Sequence, residues 1–109
     1  MARQPKPGRV TEHDVADAAC KVLATEAARE ASIQTLVREI PKVLKLSAVD
    51  LAQSPTRKNE AIWEQQIRNI QSHHDSPSNF IYEGFLEQIT GGLRLTDAGM
   101  SHLKAKGFI

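Results

Sequence analysis

Three groups of polar side chains in the chain are of types that do chemistry. The first is Arg57, Lys58, Gln65, Arg68, Asn69 and Ser72, inside a stretch from 57 to 74 that contains neither glycine nor proline. At helical spacing Lys58, Ala61, Gln65, Arg68 and Ser72 share one side of such a stretch, with Arg57 and Asn69 at its margins. A guanidinium matches O6 and N7 of guanine and a side-chain amide matches N6 and N7 of adenine, so this set could read base edges. The plainer alternative is a solvated helix face, and Glu60 and Glu64 on the same stretch oppose phosphate. The second group is Gly91, Gly92 and Arg94, where turn amides and a guanidinium could meet a phosphate. The third is His73, His74 and Asp75. Their types suit a metal, but adjacent side chains on a helix point about 100° apart and no second cluster has ligand spacing. Neither a metal nor a cofactor is expected. With no glycine-rich phosphate loop, nucleophile elbow or zincin spacing, the chain does not read as an enzyme.

The elements that would position these groups follow from periodicity and punctuation. Residues 1–10 hold Pro5, Pro7 and Gly8 beside Arg3, Lys6 and Arg9, which opposes helix and leaves little to bury. They read as a flexible basic arm, which either reaches into a minor groove or stays in solvent. Residues 11–109 read as one domain. Thr11 with Asp14 has the spacing of a capping box, and Val15, Ala19, Val22 and Leu23 form the stripe of a first helix ending near Arg29. Ser32 caps a second helix carrying Ile33, Leu36, Val37 and Ile40, and Pro41 interrupts it. Residues 42–46 read as a further helical turn or two, and Ser47 with Asp50 repeats the capping signature.

The stretch 57–74 is the most informative helix, with Trp63, Ile67, Ile70 and His74 on one face. Trp63 could line a pocket for a modified base, but its stripe points it inward, to the core. After the turn-rich residues 75–79 and the apolar anchor Phe80, Ile81 and Tyr82, two short strands about Thr90, Gly91 and Gly92 read as a hairpin. It is the one β signal in the sequence. Thr96 caps a closing helix through Leu103, and Gly107 stops it. The fold class expected is mainly α with a small β-hairpin, in the layout of a winged helix-turn-helix: a recognition helix at about 57–74 for the major groove and a wing at about 85–96 for the backbone.

Composition narrows the class without deciding it. At 109 residues, 40% apolar and 25% charged, the chain suits one soluble globular domain. No apolar run approaches the roughly 20 residues that span a bilayer, so no membrane partner is expected. A single cysteine, Cys20, falls on the apolar stripe of the first helix, as a buried thiol would in a cytoplasmic protein. The net charge is only +1, against the basic surplus usual in phosphate binders. Its distribution is uneven, with cations gathered in the arm and again at Arg57, Lys58, Arg68 and Arg94.

Arg57 through Trp63, Gln66, Arg68 and Asn69, then Gly84-Phe85-Leu86, Gly91-Gly92 and Leu95-Thr96-Asp97-Ala98-Gly99, resemble the N-terminal winged-helix domain of Mrr-type restriction proteins. They are also similar to domains appended to HNH and other modification-dependent nucleases. The resemblance spans nearly all of the chain after the arm, and the connection from His73 to Tyr82 is longer than in that pattern. It implies binding of double-stranded DNA, with methylated bases as one target and a nuclease as partner or fused domain. Two other readings of the same layout are a transcriptional regulator and a winged helix that assembles with protein instead of DNA.

Overall fold

The computed structural model describes residues 8–109. Of the basic arm, Arg3 and Lys6 lie outside the described residues. The first helix, α1 (Glu12–Ala24), opens on the expected capping box: Thr11 Oγ1 accepts from Asp14 N at 3.1 Å and Asp14 Oδ2 accepts from Thr11 N at 2.9 Å. It ends five residues before the expected Arg29. Its apolar stripe finishes at Leu23, and the chain then reverses through Ala28 and Arg29, both in the left-handed region with φ of 56° and 55°. Arg29 is tied to Asp97 by a 3.0 Å ion pair across this turn.

The reversal leads into β1 (Glu30–Ser32), a strand the sequence analysis did not anticipate. Ser32 then caps α2 (Ile33–Glu39), accepting from Thr35 N at 3.1 Å, and Pro41 sits inside a 3₁₀ turn, Ile40–Lys42. The capping box of Ser47 and Asp50 opens α3 (Ala48–Leu51), a single helical turn. Farther on come α4 (Gln65–Ser72), the hairpin strands β2 (Leu86–Ile89) and β3 (Gly92–Leu95), and α5 (Asp97–Ala105), capped by Thr96.

The strands form one antiparallel sheet in the order β1-β3-β2. The fold is therefore mixed α/β, helix-rich with a three-stranded sheet, and not simply α with a lone hairpin. Arg94 of β3 faces Glu30 on one side and Glu87 on the other. The two-residue connection is Thr90-Gly91, so Gly92, expected in the turn, is a strand residue. A Cβ at Gly92 would stand 2.0 Å from the carbonyl oxygen of Ala31, which explains why only glycine fits where β1 crosses β3.

One core joins these elements. Helix α1 packs against α2, α4, α5 and β3. Its Val15, Ala19, Cys20, Val22 and Leu23 meet Leu36, Ile40, Trp63, Ile67, Ile70, Phe80, Leu86, Leu93, Leu95 and Leu103, all buried. The thiol of Cys20 is pushed up to about 12, by burial first and by the nearby Asp17 carboxylate second.

Two buried polar residues hold the irregular connections in place. Asp50 accepts from Val10 N at 3.1 Å as well as from Ser47 N, so one carboxylate both caps α3 and fixes the chain entering α1. Asn79 donates to Ile70 O at 3.0 Å and to Glu12 Oε2 at 3.2 Å, and accepts from Ile81 N and Tyr82 N. Every polar atom of its amide is thus used, as burial demands. This is how the long connection 73–82 is pinned between the end of α4 and the start of α1. Among the described residues no helix is long and apolar enough to cross a membrane.

Candidate nucleic-acid interface

Helix α4 is amphipathic and firmly seated. Trp63, Ile67 and Ile70 are 3%, 2% and 0% exposed against the core, so the opposite side must face outward. Trp63 is a core residue, as its stripe implied. His74, expected on the same face, lies beyond the helix end and is exposed.

The helix is shorter than the sequence implied. An unbroken helix over 57–74 is replaced by a loop, a 3₁₀ turn at Ile62–Glu64 and the eight residues of α4. Arg57 and Lys58, expected on the helix, lie in the loop. The physical reason is that nothing before Ala61 belongs to the apolar stripe, so no burial holds residues 57–60 in a helix. Instead Asn59 takes a φ of +62°, a conformation asparagine tolerates, and Gln53 pairs with Ala61 in an antiparallel bridge. Ser54 N to Glu60 O at 2.8 Å and Ile62 N to Ala52 O at 2.9 Å close the loop at its base.

The outward face of α4 is a relay of side-chain hydrogen bonds. Arg68 pairs with Glu60 and donates to Gln65 Oε1 at 2.8 Å. Gln65 donates to Asn69 Oδ1 at 2.9 Å, Asn69 donates to Gln66 Oε1 at 3.0 Å, and Gln66 donates to Val10 O at 3.3 Å. Helical neighbours of this kind contribute about 0.2–0.5 kcal/mol per pair, little enough to be exchanged for a base edge. Ser72 is exposed at the end of the row. Both acids that oppose phosphate are engaged: Glu60 with Arg68, and Glu64 as acceptor from Ala61 N at 2.8 Å, where it caps the helix start.

The hairpin lies beside this helix, with Gln88 Nε2 donating to Gln71 O at 3.4 Å. Gly91 is exposed at its tip with a φ of +74°, while Gly92 is buried and turned to β1, away from any ligand. Arg94 points from the outer face of the sheet but is ion-paired with Glu87. His73 Nδ1 lies 2.8 Å from Glu12 Oε1, and His74 and Asp75 are exposed beyond the helix end.

The structure thus brings Gln65, Arg68, Asn69 and Ser72 together on α4, moves Arg57 and Lys58 to the adjoining loop, and separates Gly92 from the solvent-facing set. Arg9 enters this neighbourhood unanticipated: with Ser54, Pro55, Thr56, Ile62 and Gln65 it lines an open cleft of about 200 Å³. Nothing local in the sequence joins Arg9 to the loop, because the junction depends on Asp50 and Gln66 fixing Val10. No known protein family model, curated protein or solved structure matches the chain.

Proposed function

We propose that the chain is a winged helix-turn-helix module that binds double-stranded DNA without performing chemistry on it. The reading places α4 in the major groove, which is about 12 Å wide and admits one helix. The observation that carries it is the division of α4 between a face sealed in the core and a polar face on which Gln65 and Ser72 are exposed and Asn69 and the Glu60-paired Arg68 are half-buried. The order of elements supports it: helix, strand, helix, the single turn of α3, groove-entering helix, then a hairpin whose second strand pairs with the first strand of the chain. In such a layout β2 and β3 form the wing. The resemblance to Mrr-type domains adds methylated duplexes as candidate targets and a nuclease as the associated activity.

Fluorescence anisotropy on mixed-sequence duplexes, methylated and unmethylated, tests the reading. Binding is expected at low salt, weakening steeply as salt is added. It should fall by at least tenfold, about 1.4 kcal/mol, in the triple variant Gln65→Ala, Asn69→Ala, Ser72→Ala. Unchanged affinity in that variant removes α4 from the interface.

A second reading, protein assembly through the same layout, draws on a different observation. Val43, Val49 and Leu51 are 44%, 45% and 56% exposed around α3. A self-complex in solution together with no duplex binding would favour it.

A further inference from the structure

The cations of this protein divide into those with carboxylate partners and those without. Arg29, Arg38, Lys42, Arg68 and Arg94 each pair with an Asp or Glu. Among the described residues Arg9, Lys21, Lys45, Arg57, Lys58, Lys104 and Lys106 have no such pair. Of these, Arg57 and Lys58 lie in the loop 52–62 that leads into α4, and Arg9 lines a cleft with that loop and Gln65. The hairpin offers no comparable charge. Its tip is Thr90 and Gly91, and on its outer face Arg94 lies between Glu30 and Glu87.

We infer that the loop 52–62, with Arg9 beside it, is the grip of this protein on the phosphodiester backbone of duplex DNA, in the place where a wing would ordinarily serve. The inference rests on the reading of α4 as the groove-entering helix and adds to it which surface holds the flanking strand.

The backbone that carries Arg57 is held in place. Ser54 Oγ accepts from both Thr56 N and Arg57 N at 3.2 Å, and Gln53 Nε2 donates to Arg57 O at 2.7 Å. The backbone of Arg57 is thus fixed on both sides, which reduces the ordering cost of an ionic contact. The acids nearest the loop make their contacts within the fold and not with the cations of the loop. Glu60 is held by Arg68, and Glu64 by the Ala61 amide. Near Arg9, Asp14 accepts from Thr11 N and Asp50 from Val10 N and Ser47 N. A helix laid in the major groove is flanked by the phosphates of both strands, so a rigid cationic loop at its start meets one of them.

The salt dependence of binding to an unmodified mixed-sequence duplex tests this. The slope of log affinity against log salt loses about one unit for each phosphate contact removed. The double variant Arg57→Ala, Lys58→Ala should flatten it by about two units and Arg9→Ala by about one, while Arg94→Ala should leave it unchanged. Full slopes in the loop variants, with loss of slope in Arg94→Ala, overturn the inference and return the grip to the hairpin, while the reading of α4 stands. Absence of duplex binding by the unaltered protein at low salt overturns both. Circular dichroism and denaturation of each variant establish that the fold is intact, as expected for the exposed Arg57, Lys58 and Arg94 and the half-buried Arg9.

Discussion

The loop 52–62 and the hairpin of β2 and β3 both project beside α4, yet they use their polar groups in opposite ways. In the hairpin the antiparallel register sets Arg94 opposite Glu87 and Glu30, so the guanidinium is neutralised across the sheet. In the loop, hydrogen bonding is turned inward, through Ser54 and Gln53 to the backbone, and the charges of Arg57 and Lys58 are left outward. A cation count from sequence treats Arg94 and Arg57 alike. Only the strand register shows that one of them is committed to the fold and the other is available to a polyanion.

The comparison can be broken first at the hairpin's attachment. Gly92→Ala places a methyl against the Ala31 carbonyl, backbone against backbone, and should lower stability by about 3 kcal/mol, the upper part of the range for overpacking. Urea denaturation measures it, and a cost under about 0.5 kcal/mol would mean that β1 does not hold the hairpin as described. Gly91→Ala, at the open tip, should cost closer to 1 kcal/mol, through its positive φ alone.

Removing charge separates the two regions functionally. Arg57→Ala with Lys58→Ala should weaken duplex binding about tenfold, or about 1.4 kcal/mol, and Arg94→Ala by less than about twofold, read by anisotropy at one salt concentration. Equal losses would erase the distinction. Thr96→Ala removes the cap of α5 next to β3 and should cost about 1 kcal/mol of stability with no change in DNA affinity. Smallest in stability is Ser54→Ala, which loosens the loop. It should reduce affinity about twofold to threefold and leave stability within about 0.5 kcal/mol, as for a half-buried residue outside the core.

Both regions rest on the core that encloses Cys20, and pH provides a check on it. The folded thiol titrates near 12 and the unfolded one near 9.0. Above the unfolded value the unfolded chain therefore loses its proton more readily. The stabilisation from the buried neutral thiol is complete below pH 9 and is lost progressively as pH rises toward 12. Alkylation of Cys20 at neutral pH should accordingly require unfolding, which makes it a control on every variant above.

Much of this arrangement is legible in the sequence. The caps at Thr11, Ser32, Ser47 and Thr96 declare themselves by residue type and spacing, since each signal lies within one helical turn. The stripe of Trp63, Ile67 and Ile70 fixes which side of α4 is buried. What is hidden depends on distant partners. Glu30, Ala31 and Ser32 show no alternation of their own and become a strand because β3 has an open edge to pair. The second half of the loop 52–62 is hidden for the same reason: the absence of glycine and proline from 57 to 74 favours a helix starting at Arg57, and the Gln53 to Ala61 bridge prevails. Asp50 is legible as a cap but not as a buried anchor for Val10, because that role needs the chain entering α1 to pass over it.

The central claim is that the open face of α4 is where DNA is read, and chemical-shift mapping by NMR tests it most directly. Titrating the labelled protein with methylated and unmethylated mixed-sequence duplexes should shift the side-chain amides of Gln65 and Asn69 and the backbone signals of Arg68 and Ser72. Signals from Arg57 and Lys58 should move with them, and those of β1 and α5 should stay in place. Shifts confined to Val43, Val49 and Leu51 around α3, or no shifts with either duplex, would contradict the account.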